Sequence, residues 1–275
     1  MSNNAKALPL GFRINWKKMA KCNISKELRE ELNFLTYLFR DQHRRFWKTP
    51  IAQSVLRLAH FHAHSDASLE GLGAVCAQLR FLIRLTVRRD VHLRTKKYVV
   101  SGPSLITINE LELAAGVLAF AAVRLAVMQG RHNNCSAWPV LQLWLDNVAA
   151  KKYLNKGTTN SPRARALLRI LALLTRGSPV SLNAEFVPGV ENVVADALSR
   201  SADVFDASPS HAFHALFSNF PQMHGFDLYQ PSPSLLSAIW YALLEGKLPA
   251  RLLQRIREQR GVDAAFLGSF VAIDV

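Results

Sequence analysis

The chain has 275 residues, 49% of them hydrophobic, with a formal net charge of +14 at pH 7. That is enough apolar material for a substantial core, and no stretch approaches the roughly 18 uninterrupted apolar residues of a membrane span. Three scattered cysteines (Cys22, Cys76, Cys135) give neither a disulfide framework nor a metal-ligand spacing, and residues 1–6 lack an apolar signal run, so an intracellular protein, cytoplasmic or nuclear, with no membrane partner is expected.

The charge is unevenly spread. Residues 1–58 carry 12 Lys/Arg against 4 acids, residues 78–100 carry 7 against 1, and residues 201–275 carry 5 against 7. Two basic blocks around an acidic motif suit a polyanion partner, although a solvated basic face gives the same count.

Residues 25–47 read as an amphipathic helix, with Ser25 as N-cap and Leu28, Leu32, Leu35, Leu38 and Phe39 as the apolar stripe; Pro50 bounds it. From Arg57 the pattern changes to period two. Ala59, Phe61 and Ala63 alternate with His60, His62, His64 and Asp66, which predicts a strand with Asp66 near its end. Gly71 and Gly73 read as a turn before strands over 74–79 and 81–87. A largely buried helix follows over 109–128, a strand from Val140 to Asp146, and a short helix from Asn147 to Leu154. Ser161-Pro162 is an N-cap with proline at the first helical position, starting a helix that runs to Thr175 and stops at Gly177. A strand over 181–187, a Pro188-Gly189 turn and a helix over 191–200 complete a mixed α/β sheet with packed helices. Beyond it, Pro209, Pro221, Pro231 and Pro233 mark 201–233 as a linker, before two helices at 234–245 and 249–260.

Four acids stand in short motifs on these elements: Asp66 and Asp146 at strand ends, Glu112 near a helix start and Asp196 on a late helix. Carboxylates are costly to bury and repel one another, so a site that gathers several usually holds divalent cations. Strand ends and helix starts can meet at one edge of a sheet, although such an acid taken singly is more often a cap, a turn residue or a surface charge.

Taken together the motifs resemble the ribonuclease H domains of retroelement reverse transcriptase polyproteins, of the tyrosine-recombinase type or related eukaryotic elements. The resemblance rests on Ser65-Asp66-Ala67-Ser68 with Gly71 and Gly73-Ala74, on Glu112-Leu113-x-Ala115 with Ala119, on Asp146-Asn147, and on Phe186-Val187-Pro188-Gly189-x-x-Asn192-x-x-Ala195-Asp196-x-Leu198-Ser199-Arg200. It covers residues 57–200. Weaker likeness extends to Trp47-x-x-Pro50 and to Gln230-Pro231-Ser232-Pro233. It implies a ribonuclease H-like mixed five-stranded sheet over 57–200, a helical connection from a polymerase over 1–56, and a linker with a helical extension over 201–275. The implied reaction is two-metal hydrolysis of the RNA strand of an RNA/DNA hybrid, with a polymerase domain as a possible partner. Asp66, Glu112, Asp146 and Asp196 would hold two Mg²⁺ ions, with Mn²⁺ as a substitute. Asn147 is a candidate for the minor groove of the hybrid, or equally a helix cap. Arg80, Arg84, Arg88, Arg89, Arg94, Lys96, Lys97, Arg163 and Arg165 are candidates for phosphate contacts.

Two departures stand out. The polymerase motif Tyr-x-Asp-Asp is absent, so no DNA synthesis is expected from this chain alone. The loop Pro188-Gly189-Val190-Glu191 lacks the histidine that many cellular ribonucleases H carry before the last acid, which implies slower turnover. Glu110 competes with Glu112 for the helix ligand, and the alanine spacing of the motif favours Glu112. A zinc hydrolase built on His60-x-His62-x-His64-x-Asp66 is a rival without further ligand motifs downstream. A nucleic-acid-binding fragment that has lost its activity is another, against which the four retained acids argue.

Overall fold

The computed structural model describes residues 26–39, 58–95, 105–131, 139–176, 178–200, 209–257 and 262–273. They fall into two units, residues 1–45 and 46–275. The first contributes helix α1 (Lys26–Phe39), as the apolar periodicity requires. The rest of the expected 25–47 helix, the Trp47-x-x-Pro50 segment, and Lys96 and Lys97 lie outside the described residues.

In the second unit the period-two segment forms strand β1 (Phe61–Ala67), which buries Phe61, Ala63 and Ser65 on one face and carries His62, His64 and Asp66 on the other. It pairs antiparallel with β2 (Gly71–Cys76), which pairs antiparallel with β3 (Phe81–Thr86). A short helix α2 (Arg89–Leu93) and the long α3 (Ile108–Met128) lead to β4 (Val140–Leu145), which lies parallel to β1. Helices α4 (Val148–Lys156) and α5 (Pro162–Thr175) precede β5 (Ser181–Phe186), parallel to β4. A 3₁₀ turn (Gly189–Glu191) then enters α6 (Val193–Arg200).

Helix α3 is buried almost all round and packs on β1, β2 and β4, with α4 and α5 against its other side. Its length and hydropathy would suit a bilayer, but here it is the central core helix. Small residues permit this: a Cβ on Gly116 would stand 3.2 Å from the Leu143 side chain. Arg124, buried on the same helix, donates to the carbonyls of Leu174 and Val262. These bonds offset part of the cost of burying a guanidinium, whose pKa burial pushes down to about 10.

The two helices expected at 234–245 and 249–260 are present, but the expected linker is folded and the tail adds strands as well. After Arg200 come α7 (Pro209–Asn219), a 3₁₀ turn (Pro221–Met223), strand β6 (Asp227–Pro231), helices α8 (Pro233–Glu245), α9 (Ala250–Arg257) and α10 (Ala264–Leu267), and strand β7 (Gly268–Ala272). β6 pairs parallel with β3, and β7 pairs antiparallel with β6. The five strands expected over 57–200 are there, and β6 and β7 extend the sheet to seven, in the order β5-β4-β1-β2-β3-β6-β7. The prolines mislead because each sits where proline is tolerated: Pro209, Pro221 and Pro233 open helical turns, and Pro231 ends a strand.

The tail is fastened to the sheet by side chains that the sequence offers as phosphate ligands. Arg80, at φ 50° in the β2–β3 turn, donates to the carbonyls of His224 and Gly225 at 3.2 Å and lies over the Phe226 ring. Arg84 lies over the Phe213 ring, and Arg94 and Arg163 donate to the Leu244 and Leu243 carbonyls at 2.8 and 2.7 Å. At the opposite edge of the sheet, the Asn155 carboxamide both accepts from the Ala184 amide and donates to its carbonyl, at 3.0 and 2.7 Å, as a neighbouring strand would.

Candidate metal centre

Asp66 lies at the end of β1 and Asp146 directly follows β4. These strands are parallel and pair Ser65 with Leu145, so the two acids emerge side by side from the same edge of the sheet. Glu112 comes from the second turn of α3. One carboxylate oxygen from each of the three lies within 4.8 Å of the other two. Opposed oxygens around a Mg²⁺ ion stand about 4.2 Å apart, twice the metal–ligand distance, so the set is of a size to hold one ion.

The ambiguity between Glu110 and Glu112 is resolved by their partners. Glu110 forms a capping box with Thr107, accepting the Thr107 amide at 2.9 Å, and also accepts from the Ser161 hydroxyl. It is fully engaged in joining the starts of α3 and α5. Glu112 instead faces the centre. It is only 3% exposed, and its Oε2 atom is buried with no hydrogen-bond partner. An orphaned carboxylate oxygen in such a place costs free energy unless a cation or a proton meets it.

Electrostatics mark the same place. Burial, then the charges of Asp66 and Asp146, raises the Glu112 pKa to about 9. Asp66 is raised by burial and by Asp146 and Asp196, against the opposing effect of the Ser199 hydroxyl. Asp146 is raised by burial and by Asp196. Like charges crowded in a low dielectric retain protons that a divalent cation would replace. The donor set is all oxygen, which suits a hard cation such as Mg²⁺ or Mn²⁺.

Asp196 is not one of the three. Its charge is felt by Asp66 and Asp146, but its carboxylate accepts from Arg200 Nε at 2.5 Å, one turn further along α6. The helix that carries it is set by β2. A Cβ on Gly73 would stand 2.7 Å from the Ser199 amide and closer still to the Ala195 carbonyl, and one on Gly71 would collide with the Ser199 carbonyl. The two glycines, read from sequence as a turn, are strand residues that let α6 lie directly on the sheet. Gly73→Ala is expected to cost about 1–3 kcal/mol, read as a lower urea midpoint at unchanged slope.

Other motif residues are fasteners. Asn192 donates to the Ser65 carbonyl at 3.0 Å, pinning the start of α6 beside Asp66. The Ser199 hydroxyl donates to the Asp66 carboxylate. Ser68 accepts the Glu70 and Gly71 amides at 3.1 and 2.9 Å and donates to the Ser199 carbonyl at 2.7 Å. Gly189 lets the loop after β5 approach Asp146, where a Cβ would stand 3.2 Å from its carboxylate oxygen. Sequence reasoning gave Asn192, Ser199 and Arg200 no role; their presence in the Asn192–Arg200 motif was the available signal.

The remaining candidates are spread out. Asn147 caps α4 through the Ala150 amide at 2.9 Å and donates to Asn109 at 2.8 Å, the capping alternative of its two readings. Arg88 forms an exposed pair with Asp90 at 2.5 Å; Arg89 is exposed and Arg165 half-buried. The histidines serve the sheet. His60 accepts the Val140 amide at 3.1 Å, and His62 accepts from Trp144 Nε1 at 3.3 Å, while His62 and His64 both stack on the Trp144 ring. Among the described residues no histidine joins a metal-ligand cluster.

Fold and centre together define an α/β protein whose seven-stranded mixed sheet carries, at one edge, a carboxylate centre that could hold a metal ion. No family model matches the chain, and no curated protein matches it.

Proposed function

We propose that the chain is a metal-dependent nuclease of the ribonuclease H type, which hydrolyses the RNA strand of RNA/DNA hybrids during retroelement reverse transcription. The observation that carries this reading is the convergence of Asp66, Glu112 and Asp146 from β1, α3 and β4, with one Glu112 oxygen buried and without a hydrogen-bond partner. The motifs that bear the resemblance supply these three acids, and they also supply the glycines and Asn192 that hold α6 beside them.

The three carboxylates would hold Mg²⁺, with Mn²⁺ as a substitute. Bound there, with a second ion helped by Asp196 as the resemblance implies, such cations would activate water and stabilise the leaving oxygen of a phosphodiester. The chain's own residues prepare the place. Ser199 orients Asp66, the Gly189 loop walls Asp146, and α3 excludes water from Glu112. Glu112 must lose its proton for a cation to enter, so loading exchanges protons for metal.

The test is cleavage of a labelled RNA/DNA hybrid in Mg²⁺, alongside single-stranded RNA and duplex DNA, with Asp146→Asn as control. The expected result is cutting of the hybrid's RNA strand alone, lost in the variant. Salt-sensitive binding of the hybrid with no cutting in any divalent cation would overturn the proposal in favour of a binding fragment.

A further inference from the structure

We propose that Arg200 controls loading of a second cation by holding Asp196 out of the centre, so that the resting protein takes one divalent ion tightly and a second only when this ion pair opens. The inference rests on the metal-dependent reading above and concerns how its fourth acid is used. Three carboxylates converge, and the fourth does not join them. Asp196 is instead engaged by the guanidinium of Arg200 at 2.5 Å, from the next turn of the same helix.

The backbone of α6 cannot swing to change this. It is pressed on Gly71 and Gly73, pinned by Asn192 to the Ser65 carbonyl and tied through Ser68 to the Ser199 carbonyl. Only side-chain rotation is left to bring the Asp196 carboxylate inward, and such rotation must break the Arg200 contact. The pair is suited to opening. The Arg200 side chain is 70% exposed and that of Asp196 36% exposed. An exposed i,i+4 ion pair is weak enough for a divalent ion or a nearby phosphate, each carrying more charge, to compete with it. Arg200 also opposes a second cation directly, because it places a positive charge beside Asp196. When the pair opens, the guanidinium is released at the mouth of the centre, where a phosphate is its natural acceptor. Arg200 is therefore a positioning residue: it acts through Asp196 and sets the order in which cations and polyanion arrive.

The experiment counts bound Mn²⁺ without turnover, by the electron paramagnetic signal of free Mn²⁺ and by calorimetry, in the full chain, Arg200→Gln, Arg200→Lys and Asp146→Asn. The wild type is expected to show one tight ion and a weaker second. In Arg200→Gln the second affinity should rise about three- to tenfold with the first little changed, while Arg200→Lys, which keeps the charge, should stay close to wild type. Isotherms of Arg200→Gln and wild type that superimpose, or a shift of both ions alike, would overturn the inference while leaving the three-carboxylate centre in place. Wild-type protein that binds no Mn²⁺, or binding that Asp146→Asn leaves intact, would overturn the metal reading itself.

Discussion

Glu112→Gln is expected to make the metal-free protein more stable while removing hybrid cleavage. The two effects share one cause. The folded chain keeps a proton on Glu112 up to about pH 9, whereas an exposed glutamate releases it near 4.5. A raised carboxyl pKa means that stability is fully present below the unfolded value and is lost as pH rises toward the folded one. At pH 7 the loss amounts to at most about 3 kcal/mol. Gln matches the protonated acid in shape and never needs to ionise, so urea denaturation in EDTA should show a gain of about 1–2 kcal/mol at pH 7. The gain should shrink toward pH 5 and grow toward pH 9. On the proposed metal reading the order should reverse in Mg²⁺: the ion would stabilise the wild type, and the variant, one ligand short, much less. Cleavage should fall by more than the 10–100-fold typical of losing an outer partner of a metal ligand. Parallel pH–stability curves for the two proteins would refute this account of the centre.

Phe217→Ala is the second large effect, at about 3–5 kcal/mol. Phe217 is 2% exposed, in a cluster that joins Val75, Leu82 and Leu198 to Phe213, Leu216, Met223 and Phe226. The first three belong to β2, β3 and α6, the last four to the segment after Arg200. Five side chains from 213–226 at about 1.5–3 kcal/mol each give ~7–15 kcal/mol of burial, comparable to the whole stability of a domain. A chain ended after Arg200 should therefore fail to unfold cooperatively, as followed by circular dichroism in urea, and should lose metal-dependent cleavage because α6 loses its cover. A wild-type midpoint for that shortened chain would show that residues 57–200 fold without the tail.

The sequence carried the elements from 57 to 200 and the centre to different depths. Period-two alternation placed β1 within a few residues, Ser161-Pro162 placed the start of α5, and the motif spacing selected Glu112 over Glu110. What escaped were relations between distant residues. Gly71 and Gly73 look like a turn until α6, some 120 residues later, is seen against them. Arg80, Arg84 and Arg163 look like a basic face until the carbonyls and rings of residues 213–243 are seen beneath them. Strands β6 and β7 escaped for the same reason, since a five-residue strand has little periodicity of its own.

The notch that Gly71 and Gly73 cut into β2 has a further consequence. The depth at which the fourth acid rides above the sheet is fixed by two residues that carry no reactive group at all. A methyl added at either collides with the helix backbone, so chemical variety at these positions is closed off more tightly than at many of the charged residues nearby. Part of what shapes this candidate metal centre is thus written as missing atoms, which an inventory of acids and bases passes over.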